Sequence, residues 1–321
     1  SYPKTFFNST NPGRASTSTN NSAVVTVPDP TFFFFTSGTS LSTTAGSNVA
    51  VGEGIYVATH VNMTQGTSLV RVSISLPGTG RFYLATTTFT FGPGTSCPQN
   101  VTTFFAGNQT ILYDLGLCVR TGDNIVANNN ASVQINTTLV VADHASNTQL
   151  TSAGIGATFT YSQDVGSLKT VTATNLTYTF VEPVVRSLVF PNVSVVDAGD
   201  EVLYTVRVYH QPSSSQSDGF DLSISATLPV YMQITSASNG TVVGSGLFPW
   251  TQTTDTNTYR TVTFSSDQLA LTDYYETTFV AKILDTVYPA TALLRSGISL
   301  ALDSYPKTFF NSTNPGRAST S

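Results

Sequence analysis

Short runs of alternating apolar and polar residues dominate this chain, and no ten-residue stretch carries the 3.6-residue apolar period of a helix. Val, Ile, Thr, Tyr and Phe fill the runs, while Gly, Pro, Asn and Ser separate them, which is the pattern of strands and turns. An all-β fold follows. Residues Val133 to Val141 show the logic: alternation sends Val133, Ile135, Leu139 and Val141 to one face and Asn136 to the other. By the same rule Leu176, Tyr178 and Phe180 point inward with Asn175 outward, and Asn62 falls out of phase with Ile55, Val57, Val61 and Met63.

A second constraint is repetition. Ser1 to Ser18 and Ser304 to Ser321 are identical, SYPKTFFNSTNPGRASTS, at an offset of 304 − 1 = 303. A grafted strand normally brings a Gly/Ser linker, whereas Leu302-Asp303 run straight into Ser304. The chain therefore reads as one 303-residue window of a longer array, with the start of the next copy attached.

A weaker period lies inside the first. Val51-Gly52-Glu53-Gly54-Ile55 aligns with Ala198-Gly199-Asp200-Glu201-Val202, each a turn entering a strand. Val72 to Pro77 matches Ser223 to Pro229, Thr137 to Val141 matches Thr277 to Ala281, and Leu150 to Ile155 matches Leu294 to Ile298. The expectation is tandem, related β-sandwiches, two per 303-residue repeat. Acidic-Pro steps at Asp29-Pro30 and Glu182-Pro183 mark their ends. Residues 1–30 then close a preceding second-type domain, 31–183 form the first sandwich, 184–303 form a second one lacking its last strand, and 304–321 begin the next copy.

This order of motifs resembles the bacterial-type conserved repeat domain called DUF11, an immunoglobulin-like sandwich found in tandem in very large surface proteins. Gly199-Asp200, Tyr204-Thr205-Val206, Leu228-Pro229 and Val181-Glu182-Pro183 stand at the matching places. Ala226-Thr227 and Ser296 depart from the pattern, replacing an acidic residue and an Asn. The resemblance implies architecture and location, and brings no catalytic residue with it.

Composition bears on the compartment. Charged residues are 10% of the chain, against an average of about 25%. The net charge of −5, with no basic run, argues against nucleic acid or an anionic membrane as partner. No apolar stretch approaches the ~18 residues of a membrane helix. Asn-X-Ser/Thr sequons occur at Asn8, Asn20, Asn62, Asn100, Asn108, Asn130, Asn136, Asn175, Asn192, Asn239 and Asn311, so covalent N-glycans and an extracellular or cell-surface location are expected. Cys97 and Cys118 suit one disulfide closing a small loop.

No catalytic constellation stands out, and no enzyme and no cofactor are expected. His60, His144 and His210 read as exposed strand or loop histidines without metal-ligand spacing. Acidic turns at Thr121 to Asn124, Asp143 and Asp197 to Glu201 lack the spacing of a calcium loop. Ser245, in Gly244-Ser245-Gly246, sits in no nucleophile elbow. An intramolecular isopeptide would need a buried lysine, for which Lys169 and Lys282 are the candidates. Phe32 to Phe35 put aromatics on both faces of an extended segment, so the strand is either buried on both sides or makes a lateral contact.

The reading is a structural repeat unit of a glycosylated extracellular fibre or cell-surface stalk. Its partners are neighbouring copies of the same repeat, joined covalently or by strand insertion, with lateral filament contacts beside them. Two alternatives remain: a donor-strand-exchanged, pilus-like subunit, and a carbohydrate-binding adhesin using loops around Trp250.

Overall fold

The structure is a computed structural model that describes residues 28–44, 46–107, 109–121, 132–164, 167–244, 250–288, 297–307 and 318–320. Among the described residues the alternating runs form twenty-two strands, numbered in chain order, and no α-helix.

Two sheets enclose a first core. One has the order β1 (Thr31–Thr39), β3 (Gly54–Asn62), β9 (Val133–Val141), β5 (Phe82–Phe91). The other runs β2 (Asn48–Ala50), β12 (Leu176–Val181), β10 (Ser152–Asp164), β4 (Gly66–Ser75), β8 (Thr110–Arg120), β6 (Thr95–Ser96), with β11 (Ser167–Thr172) on β10 and β7 (Val101–Phe105) on β8. Their inner faces supply Val57, Ile74, Tyr113, Ile135, Phe159 and Phe180, all buried in one cluster.

A second core lies between β13 (Val185–Pro191), β14 (Glu201–His210), β20 (Tyr274–Ile283), β16 (Met232–Ala237), with β17 (Thr241–Val243) on β20, and the sheet β18 (Thr251–Thr254), β19 (Thr261–Leu269), β15 (Gly219–Thr227), β21 (Gly297–Asp303), β22 (Ala318–Thr320). In β14 the alternation is plain: Val202, Tyr204, Val206 and Val208 are buried, and Glu201, Leu203 and Arg207 are exposed.

The internal match seen in the sequence is a match of topology. β1-β3-β9-β5 corresponds to β13-β14-β20-β16, and β10-β4-β8 to β21-β15-β19. Gly52 and Gly199 occupy the same turn, with φ of 93° and 92°, a left-handed conformation glycine adopts without steric cost. Each turn is then pinned to the end of the long partner strand: Gly52 N–H donates to Val141 O at 2.8 Å, and Gly199 N–H to Ile283 O at 2.9 Å. One register is corrected. Gly54 pairs with Val140 and Glu201 with Lys282, so the Thr137 and Thr277 runs are offset by two residues from their sequence alignment.

β1 settles the phenylalanine question. Phe32 and Phe34 pack on the first core, Phe32 lying 5.6 Å from Phe159. Phe33 and Phe35 are 52% and 37% exposed. The strand is at the edge of its sheet and is not buried on both sides.

Cys97 and Cys118 are bonded to each other, 21 residues apart, with Cys118 in the first core. Closing a loop of that length restricts the unfolded chain. A Cys97→Ala/Cys118→Ala double variant is therefore expected to lose about 3 kcal/mol in urea denaturation.

Candidate functional site: the seat of the repeated segment

The second copy of the repeated segment is built into the fold. Its end, Ala318–Thr320, adds an antiparallel strand to β21, pairing Ala301 with Thr320, Leu302 with Ser319 and Asp303 with Ala318. Its start crosses to the first core.

Asp303, the residue before the copy begins, is 1% exposed. Its Oδ2 meets Lys307 Nζ at 2.9 Å, and this contact raises the lysine pKa. Lys307 N–H also donates to Asp221 Oδ2 at 2.6 Å. Asp221 lies at the irregularity where β15 shifts register against β21, with φ of 48°. That bulge re-aims its side chain at the returning chain.

Between these anchors, Ser304 and Tyr305 are buried against the first core. Ser304 Oγ–H donates to Val51 O at 3.0 Å, and the Tyr305 hydroxyl shares a 3.1 Å hydrogen bond with Ser40 Oγ. Burial pushes the Tyr305 phenol pKa up. Ser40 in turn accepts from Gly54 N–H at 2.8 Å, so the contact reaches the β3 ladder.

Glu53 stiffens the floor of this seat. It is fully buried, yet its carboxylate is well satisfied: Oε1 accepts from Thr44 Oγ1 at 2.6 Å and Leu41 N–H at 3.3 Å, and Oε2 from Ala50 N–H at 2.7 Å. It ties the loop before β2 to the turn before β3. Desolvation raises its pKa against the opposing pull of those hydrogen bonds. A carboxyl whose folded pKa is raised contributes stability that is complete below its unfolded value and is lost as pH rises through the folded one. The stability difference between wild type and Glu53→Gln, followed by urea denaturation across pH, should therefore decline as pH climbs from the ordinary value of 4.5.

The two cores also meet at the connection after β12. Val184 N–H donates to Ser215 Oγ at 3.0 Å, Gln211 N–H to Val184 O at 2.7 Å, and Gln149 Nε2 to Ser214 O. His210 supports that loop from below, with Nδ1 2.7 Å from Ser215 Oγ and Nε2 3.0 Å from Leu269 O. It is 8% exposed, which corrects the expectation of an exposed histidine, and burial lowers its pKa. His60 and His144 are half-buried, in different elements.

Other expectations change once side chains are placed. Trp250 is 5% exposed and stacks on Tyr275 at 4.1 Å, so it offers no platform for a sugar. Neither lysine is buried: Lys169 pairs with Asp29 at the surface and Lys282 is exposed. Asp200 Oδ2 accepts from Asp197 N–H at 2.8 Å, an acidic turn closed on itself. Of the calcium alternative, residues 122–124 lie outside the described residues, as does Ser245.

The sequons divide by environment. Asn100, Asn175, Asn192 and Asn239 are exposed, and Asn62 and Asn136 are half-buried on β3 and β9. Asn8, Asn20, Asn108, Asn130 and Asn311 lie outside the described residues.

The seat itself was missed by sequence reasoning. Tyr305 was visible only as part of the repeat, and Glu53 as the acid of a Gly-flanked turn. Nothing in local pattern says that a turn acid is buried.

No family model and no curated protein matches this chain. Among solved structures, the C-terminal domain of the Streptococcus agalactiae AgI/II polypeptide BspA overlaps it with a TM-score of 0.43 and 11% identity, over 91% of this chain and 97% of that one. The C-terminal domain of the Streptococcus pyogenes antigen I/II-family protein AspA gives 0.42 and 11%, over 91% and 98%. The Bacillus cereus major pilin subunit BcpA gives 0.32 and 8%, over 78% and 66%. At such overlap neither family nor activity passes to this chain.

Proposed function

We propose that the chain is a structural repeat unit of a glycosylated extracellular fibre or cell-surface stalk, with a mechanical rather than catalytic role. The observation that carries this reading is the fate of the duplicated segment: its second copy forms β22 and buries Ser304 and Tyr305 between the two cores. A sequence recurring without change after 303 residues and serving as a joint is what a tandem array requires. Each period then holds two immunoglobulin-like sandwiches, 31–183 and 184–303, related to the DUF11 type. Residues 1–30 close the preceding unit and 304–321 open the next. Outward N-glycans supply the hydration that a 10% charged composition lacks.

A second reading shares the same seat. In it the units are separate polypeptides, and residues 20–27 of one insert as a donor strand into the sheet of the next that β22 extends. Denaturing electrophoresis of the native material, boiled and reduced, distinguishes the two. A continuous array is expected to be too large to enter the gel, whereas a band near the 34.0 kDa of this chain would replace the array by strand-exchanged subunits.

A further inference from the structure

We propose that the outer face of the β1-β3-β9-β5 sheet is a seat for the chain's own carbohydrate, an N-glycan on Asn136 flanked by one on Asn62 lying across Phe35, Phe33 and Tyr56. The inference rests on the glycosylation in the proposed function and adds where the sugar goes. Residues paired across strands point to the same face, so the register maps that face. One row holds Phe35, Ala58, Asn136 and Thr88, and the next holds Phe33, His60, Gln134 and Thr90. Tyr56, Thr138 and Thr86 form the row on the other side, and Asn62 lies opposite Thr31 beyond Phe33.

The face is thus split in two. On the β5 side of Asn136 stand Thr86, Thr88 and Thr90, with exposed Tyr83 further along β5 opposite Val140; on the β1 side stand Phe33, Phe35 and Tyr56. Phe33, Phe35 and Tyr56 are 52%, 37% and 39% exposed. Strands lie about 4.8 Å apart, which puts Phe35 roughly 10 Å from Asn136, two strands away. That distance is within the span of the first two sugars of an N-glycan.

Ala58, 1% exposed, is closed over by its neighbours on this face, which leaves Phe35, Tyr56, His60 and Asn136 to form the surface. His60 meets the Phe35 ring in a T-shaped contact at 4.8 Å and 89°. Asn136 Oδ1 accepts from Gln134 Nε2 at 3.3 Å, which leaves Nδ2, the atom a glycan occupies, on the other side of the amide. The C–H faces of a pyranose carry slight positive charge and complement the negative face of an aromatic ring.

A physical need points the same way. β1 is an edge strand of sequence TFFFFTSGT, without a charge or a proline. Exposed edges of this kind recruit other strands unless something blocks them. Bulky sugar rooted on the neighbouring β3 and reaching across from β9 blocks it without adding charge.

The test uses the native glycoprotein. Peptide-level mass spectrometry is expected to find Asn136 and Asn62 occupied; bare asparagines at both beside an occupied Asn100, Asn175, Asn192 or Asn239 would overturn this inference alone, and bare asparagines at all six would overturn the glycosylation reading with it. Enzymatic removal of the glycans should raise apolar-dye fluorescence several-fold, and a Phe33→Ser/Phe35→Ser variant should abolish that rise. In the glycosylated form Phe35→Ser should lower Tm by about 2–4 °C, and in the deglycosylated form it should not. Occupied sites with equal Phe35→Ser effects in both forms would overturn the stacking alone. So would a glycosylated variant that loses lateral association, because the face would then belong to a second copy.

Discussion

Replacing Tyr305 by alanine should lower the unfolding free energy by about 3–5 kcal/mol, the cost of emptying a buried aromatic site. Tyr305 is 6% exposed, and its hydroxyl is bonded to Ser40. Tyr305→Phe keeps the ring and should lose about 1 kcal/mol, the net worth of one hydrogen bond. Tyr288, 69% exposed, is the control, since an exposed substitution usually stays within about 0.5 kcal/mol. Urea denaturation followed by far-ultraviolet circular dichroism reads all three. A Tyr305→Ala effect no larger than that of Tyr288→Ala would mean that the seat does not hold the cores together. The consequence for an array is direct, because Tyr2 repeats Tyr305 and the same loss would recur at every joint.

Trp250→Ala should cost a similar amount, about 3–5 kcal/mol, and should do so through the second core. The indole is 5% exposed, lies 4.1 Å from the Tyr275 ring at an interplanar angle of 15°, and belongs to the cluster with Phe264 and Phe279. Circular dichroism is again the probe, since the variant lacks the chain's one tryptophan. A folded Trp250→Ala protein of unchanged stability but altered binding to immobilised sugars would restore the adhesin alternative. Burial predicts the reverse: lost stability and no change in sugar binding by the folded fraction.

These two aromatics show where reading the chain succeeded and where it stopped. Strand phases were legible because one side chain in two must leave water. Val133, Ile135, Leu139 and Val141 are buried and Asn136 is not wholly so, as alternation required. The correspondence of the two halves was also legible, down to the paired turn glycines Gly52 and Gly199. Its register at β9 and β20 was not. A slip of one residue would have turned every side chain to the wrong face, but a slip of two preserves the faces, and pattern cannot detect it. Trp250 looked like a loop residue because it follows Pro249; its partner Tyr275 lies 25 residues further on in sequence, and only folding stacks them.

The sequence by itself determined the all-β class, the faces of its strands, the pairing of its two cysteines and the recurrence at 303 residues. Each of these follows from spacing along one chain. Tertiary structure alone decided where the recurring segment sits. Seating Ser304 and Tyr305 requires Ser40, Val51 and Glu53 to converge from more than 250 residues away, and anchoring Lys307 requires a bulge at Asp221. Burial and hydrogen-bond partnership across such separations depend on how sheets pack, which local pattern does not encode.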